Sequence, residues 1–247
     1  MYTPLRIDDS LVLDPRKAVW FPRDRTLAVA DLHLGYSWIH RTAGNLLPVG
    51  ISDDTAARLV HLVEEYRPMR LVVLGDIVHR AAPIPALVEA LSGLLKAVEK
   101  WCLVTLLAGN HDAALGGLLA RCQWRGELMR EWYGCDFILM HGDADADASK
   151  RLACAKRDGR RIVIGHEHPA IRLGDGVATS AKCPCFLLGD ALVILPAFSS
   201  WAAGTDFRKG EWLSQYATAT RFHTAVAIMG KRLLPIPLQS ESRSWKG

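Results

Sequence analysis

Five apolar runs of strand length each break off into side chains that resist burial unless something binds them. "LAVADLHLG" reaches Asp31 and His33, "LVVLGDIVHR" reaches Asp76 and His79, and "LLAGNHDAA" reaches Asn110, His111 and Asp112. "FILMHGD" ends in His141, and "IVIGHEHP" ends in His166 and His168. Short unbroken apolar runs fit strands buried on both faces, and a polar side chain beside such a strand needs a partner. Of the nine histidines in the chain, six (His33, His79, His111, His141, His166 and His168) lie in these segments. That concentration argues against ordinary polar strand ends and for one shared site.

The spacing between the runs indicates how they converge. "SDDTAARLVHLVEEYRP" has an N-cap candidate at Ser52, helical apolar spacing from Leu59 to Tyr66, and Pro68 beyond its end. "PALVEALSGLLKAVEK" opens on Pro85, a favoured first helical residue, and lines up Leu87, Leu91, Leu94, Leu95 and Val98. Shorter helices are expected near 113–125 and 148–158, so that helix-length connections separate the runs between 27 and 164. Strands alternating with helices predict a largely parallel sheet, whose loops open at one edge. Before this region, "SLVLD", "AVWF" and "TLAVA" read as a sheet meander. After it, "CFLLGDALVILPAF" and "TAVAIMGKRLLPIPL" each read as two strands about a turn, so the C-terminal third is expected to be mainly antiparallel β.

With 247 residues, half of them hydrophobic, the chain suits a single domain, and the polar stretch from about 239 is expected to fray. No run approaches the ~18 apolar residues of a membrane span. "MYTPLRIDDS" lacks a signal-peptide pattern, so the expected compartment is the cytoplasm. Six cysteines are too few for a disulfide scaffold; Cys102 and Cys135 are expected in the core, and "KCPCF" reads as strand entry. The net charge of +4 suits an acidic substrate without demanding one. Lys150, Arg151, Lys156, Arg157, Arg160 and Arg161 form a basic segment that reads first as a solvated helix face and second as a phosphate-attracting one. "DADADAS" lacks the glycine and glutamate of a calcium loop.

Taken together and in order, Asp31-x-His33, Gly75-Asp76, Gly109-Asn110-His111-Asp112, His141 and Gly165-His166-Glu167-His168 resemble the motifs of calcineurin-like metallophosphoesterases. The resemblance implies a four-layer αββα sandwich with two metal ions at one edge of paired sheets. "ADLHLGY", "GDIVH", "GHEHPAIRL", "KCPCFLL" and "LVILPAFSSWAAG" further resemble the bacterial metallophosphoesterases associated with DNA ligase genes, thought to be nucleases or phosphodiesterases in DNA damage responses.

Carried onto this chain, the resemblance makes Asp31, His33, Asp76 and His168 ligands of one ion. Asp76 would bridge to a second, held also by Asn110, His141 and His166. Imidazole, carboxylate and amide donors suit Mn²⁺, Fe or Zn²⁺, and manganese is the first choice. Paired ions would activate a shared water for attack on phosphorus. His111 would stabilise the developing charge or protonate the leaving oxygen, with Asp112 holding its imidazole. His79 and Arg80 either approach the phosphate or are simply polar surface groups. Glu167 receives no catalytic role, and Trp38 and Trp201 either pack or stack on bases. The leading expectation is hydrolysis of phosphodiesters in nucleic acid, single-stranded DNA above all, with functional links to DNA ligase, helicase and nuclease partners implied by resemblance. The alternatives are a small-nucleotide phosphodiesterase or phosphomonoesterase and a noncatalytic scaffold on the same fold.

Overall fold

The computed structural model describes residues 1–37, 40, 54–80, 84–143, 145–174, 180–218 and 222–238. The opening strands β1 (Leu5–Arg6), β2 (Val12–Asp14), β3 (Ala18–Phe21) and β4 (Thr26–Ala30) form the expected meander, with β1 an addition to it. Helix α1 (Thr55–Tyr66) follows, stopped by Arg67 in the left-handed region at φ 44° before Pro68. Asp54 occupies its N-cap; the expected cap, Ser52, lies outside the described residues. Next come β5 (Arg70–Leu74), α2 (Pro85–Glu99), β6 (Leu103–Leu107), α3 (Leu115–Arg121) and β7 (Glu127–Met129). Strands β4 to β7 pair in parallel, completing a sheet of order β1-β2-β3-β4-β5-β6-β7.

The second sheet contains β8 (Glu131–Tyr133), β9 (Phe137–Met140), β10 (Arg161–Ile164), β11 (Pro169–Gly174), β12 (Ser180–Gly189) and β13 (Leu192–Ile194). It is completed by β14 (Thr205–Asp206), β15 (Phe222–Met229) and β16 (Arg232–Pro237). Helix α4 (Ala148–Arg157) links β9 to β10, and α5 (Gln215–Thr218) precedes β15. The connection from β6 to β9 holds α3 and two short edge strands, β7 and β8, where a helical connection alone was expected. Strands β9, β10 and β13 are parallel, whereas β12, β15 and β16 run antiparallel to their neighbours.

Three apolar clusters define four layers. Leu27, Val29, Leu71, Val73 and Leu106 face α1, α2 and α3, while Ala28, Ala30, Val72, Leu74 and Leu107 meet Leu139, Val163, Phe186 and Val193 of the second sheet. The other face of that sheet packs Ile162, Ile164, Leu187 and Ile194 against Leu152 and Ala155 of α4 and against Tyr216. Alternate residues of one strand therefore enter two different cores. That is why β4 and β5 read as continuous apolar runs in place of a half-polar alternation.

Two cysteine expectations resolve differently. Cys102 is partly buried against the first core, but Cys135 is exposed, because it sits in the β8–β9 turn that the Gly134 N–H closes onto Phe137 O at 2.9 Å. Cys183 and Cys185 lie within β12, half-buried and buried. Among the described residues no helix is long and apolar enough to cross a membrane.

Candidate metal centre

Register levels the strand ends that carry the site. Ala30 pairs with Leu74 and Leu74 with Leu107, so β4, β5 and β6 stop together; Met140 and Ile164 do the same in the facing sheet. Each strand then delivers its polar residues within a few positions, and the two edges meet. Backbone bonds tie the delivering loops: Asp31 N–H donates to Gly75 O at 3.2 Å, His33 N–H to Asp76 O at 2.9 Å, and Gly165 N–H to His141 O at 3.1 Å.

Holding side chains this close strains the backbone. Asp31, His33, Asp76, His166 and His168 all adopt positive φ, between 44° and 65°. These are five of the nine non-glycine residues in that region among those described, and such conformations persist only where the surroundings over-determine them. Glycine supplies the remaining room. A Cβ on Gly75 would lie 2.2 Å from His141 Nδ1, one on Gly109 2.4 Å from Asp76 Oδ1, and one on Gly165 2.7 Å from Asp31 Oδ2.

Two groups of donors result, Asp31 with His33 and His168, and Asp76 with His141 and His166; within each, the ligating atoms lie within 4.8 Å of one another. In the first, His33 Nε2 is 3.3 Å from His168 Nε2, which is 3.5 Å from Asp31 Oδ1. In the second, His141 Nε2 is 3.0 Å from Asn110 Oδ1, 3.1 Å from His166 Nδ1 and 3.4 Å from Asp76 Oδ1. Asp76 spans both, because its other oxygen, Oδ2, is 3.9 Å from His33 Nε2.

The electrostatics favour cations. Burial pushes the pKa of His33 down to about 3, against the pull of Asp31, and that of His166 down to about 4. Both imidazoles are then neutral near pH 7 and present lone pairs. Burial also lowers the affinity of His168 for a proton, yet Asp31 beside it holds its pKa above the usual value. Burial works to raise the Asp31 pKa, but His168, His141 and His33 hold it low; burial and the charge of Asp31 raise that of Asp76. His141 Nδ1 donates to Leu74 O at 3.0 Å, which fixes its tautomer and turns Nε2 into the site. Ring nitrogens that converge to 3.1–3.3 Å of one another, two buried carboxylates and an amide oxygen are a donor set that fits a pair of divalent ions, with Asp76 between the two groups.

The surrounding residues divide. His111 is exposed; its Nδ1 donates to His79 O at 2.9 Å, and its Nε2 lies 3.9 Å from Asp76 Oδ2. Asp112 does not hold that imidazole. Its buried carboxylate accepts from the N–H groups of Gly109 at 2.9 Å and Ile77 at 3.1 Å, latching the β6 loop to the β5 loop; burial lifts its pKa to about 6. The short 3-10 turn Asn110–Asp112 turns the His111 and Asp112 side chains to different sides, so adjacency in sequence does not become contact. Glu167 is buried with its carboxylate on the N–H groups of Leu213 and Ser214, away from the centre.

His79 is half-buried between the rings of His111 and Tyr36. Arg80 is exposed, and no hydrogen bond or ion pair joins it to the described residues. The basic segment mostly spends its charge on carboxylates: Arg151 pairs with Glu131 at 2.7 Å, Lys156 with Asp190 at 2.7 Å, Arg157 with Asp158 at 3.1 Å, and Arg161 with Asp8. Trp38 lies outside the described residues, as does the tail from 239.

Sequence reasoning missed the support given by the segment after β13. Phe198 N–H donates to Ala30 O at 2.7 Å and Ser199 N–H to Asp31 O at 3.1 Å, bracing the first ligand loop. "PAFSS" carries no residue type that announces such a backbone role.

The calcineurin-like phosphoesterase family matches residues 24–168, more than half of the chain and the span from before Asp31 to His168. No curated protein matches by sequence. Among solved structures, the nuclease MPE of Pseudomonas putida is similar at 25% identity and a TM-score of 0.67, over 96% of this chain and 100% of that one. A protein of unknown function from Aquifex aeolicus, AQ665, is similar at 15% identity and a TM-score of 0.35, over 58% of this chain and 78% of that one, too slight a likeness to bear on function. The chain belongs to the calcineurin-like phosphoesterase family and is a metal-dependent phosphoesterase.

Proposed function

We propose that the protein is a nuclease that hydrolyses phosphodiester bonds in DNA, single-stranded DNA foremost, and that it serves DNA repair in the cytoplasm. The observation that carries this reading is the position of Asp76, one oxygen toward each of the two histidine-containing donor groups. Asp31, His33, His168 and Asp76 would hold one divalent ion, and Asp76, Asn110, His141 and His166 the other, with manganese favoured over iron or zinc. When bound, the pair supplies an activated water and charge neutralisation at phosphorus. His111, not needed as a ligand, directs Nε2 over the same space; with Nδ1 committed to a carbonyl, a proton on Nε2 is free to pass to the leaving oxygen.

Likeness to a nuclease along the whole of that structure supports a polynucleotide substrate. The motifs around Asp31, Asp76, His166 and Phe198 support membership of the DNA ligase-associated group, and with it functional association with ligase, helicase and nuclease partners. Three substrates test the reading on the manganese-loaded protein: single-stranded DNA, bis(p-nitrophenyl) phosphate and p-nitrophenyl phosphate. Cleavage of DNA and of the diester, with little turnover of the monoester, is expected. A preference for the monoester would replace the nuclease reading with a phosphomonoesterase.

A further inference from the structure

Trp201 stacks on Tyr36 with ring centroids 5.5 Å apart and planes within 15°. Trp20, Trp124, Trp132 and Trp212 pack against the three apolar clusters; Trp201 and Tyr36 belong to none of them, and both are half-buried. Their surface is therefore not accounted for by the core. From Tyr36 the rings continue to His79 at 4.6 Å and from His79 to His111 at 5.8 Å, where the row reaches the metal centre.

The far end of the row is held in fixed relation to the ligands. Trp201 N–H donates to Ser199 Oγ at 3.2 Å, and Ser199 N–H to the carbonyl of the ligand Asp31 at 3.1 Å. Lys17 Nζ donates to Ser199 O at 3.0 Å, and the Arg58 guanidinium to Phe198 O at 3.0 Å and Ser200 Oγ at 2.8 Å. Ser199 thus links Trp201 to a ligand loop, and beneath the segment Lys17 and Arg58, the latter paired with Asp54 at 3.2 Å, leave one net positive charge, which suits an aromatic ring carried on an anionic chain. We propose that Trp201, backed by Tyr36, is a stacking platform for an unpaired nucleobase that flanks the scissile phosphate. Every base offers a π face, so the platform selects for unpaired strands without selecting a sequence. This rests on the nuclease reading above.

The test compares the manganese-loaded full chain on an oligothymidylate and on a fully abasic strand of the same length, so that every flanking position lacks a base wherever cleavage falls. Wild type should lose roughly tenfold in kcat/KM on the abasic strand, and Trp201→Ala roughly tenfold on the oligothymidylate, within the scale of one base–aromatic stack. Removing base and ring together should cost no more than about twice either loss alone, and Trp201→Phe should recover most of the activity. Bound metal, measured in each variant, should stay at the wild-type level. If Trp201→Ala slows both strands by the same factor, or slows neither, Trp201 is not a base platform. If wild type cuts neither strand but hydrolyses bis(p-nitrophenyl) phosphate, the nuclease reading itself falls, and the platform with it.

Discussion

Nδ1 of His111 lies 2.9 Å from the carbonyl oxygen of His79, and this bond, not one to Asp112, orients the imidazole that faces the metal centre. Because His79 follows β5 and His111 follows β6, the orientation depends on the alignment of two parallel strands. His111→Ala should leave both ions bound and lower turnover by about two to three orders of magnitude, the scale of a lost general acid or charge-stabilising donor. Steady-state kinetics with elemental analysis check this. Loss of one ion in step with activity would make His111 a ligand.

Asp76→Asn should abolish activity together with metal binding. A buried carboxylate facing both donor groups offsets the mutual repulsion of two cations, and an amide brings no charge and only one oxygen. Elemental analysis is expected to find fewer than two ions per chain. Two tightly held ions would place the bridge elsewhere.

Gly75→Ala tests the cradle. At φ 75° with His141 Nδ1 2.2 Å from the new Cβ, the imidazole must leave its bond to Leu74 O. The expected result is a loss of stability on the order of 1–3 kcal/mol, from positive φ in a residue with a Cβ and from overpacking, with weaker metal retention at the His141 group. Urea unfolding with and without chelator separates the two effects.

Lys17 supplies a pH dependence that does not involve a ligand. Burial, aided by the charge of Arg58, pushes its pKa from 10.5 down to about 8, Asp54 opposing. Between those values the unfolded chain binds more protons than the folded one, so this group lowers stability fully below about pH 8 and the penalty is relieved as pH rises toward 10.5. Lys17→Met should gain on wild type at pH 7 and lose that advantage by about 2–3 kcal/mol on going to pH 10.5, as followed by urea unfolding. An advantage independent of pH would mean that Lys17 titrates normally.

The sequence by itself determined the central strands, the main helices and the positions of the donors, because these follow from short-range regularities, whereas the short edge strands β1, β7 and β8 carry no such pattern. Unbroken apolar runs at Thr26–Ala30 and Arg70–Leu74 required burial on both faces, and glycine beside Asp76, Asn110 and His166 left space where the backbone turns. Parallel strands with helical returns then had to open their loops at one edge.

Only the tertiary structure decided which donors share a group, that Asp76 divides its oxygens between two of them, and that Asp112 and Glu167 turn from the centre to hold backbone amides. It also decided that Cys135 lies in an exposed turn, that the basic segment is largely neutralised by neighbouring carboxylates, and that Trp201 meets Tyr36. Each of these is a contact between residues far apart in the chain, set by the pairing of strands and the stacking of two sheets. Local composition carries no record of which distant strand becomes a neighbour, so the same side chain reads as ligand, latch or platform until the sheets are assembled.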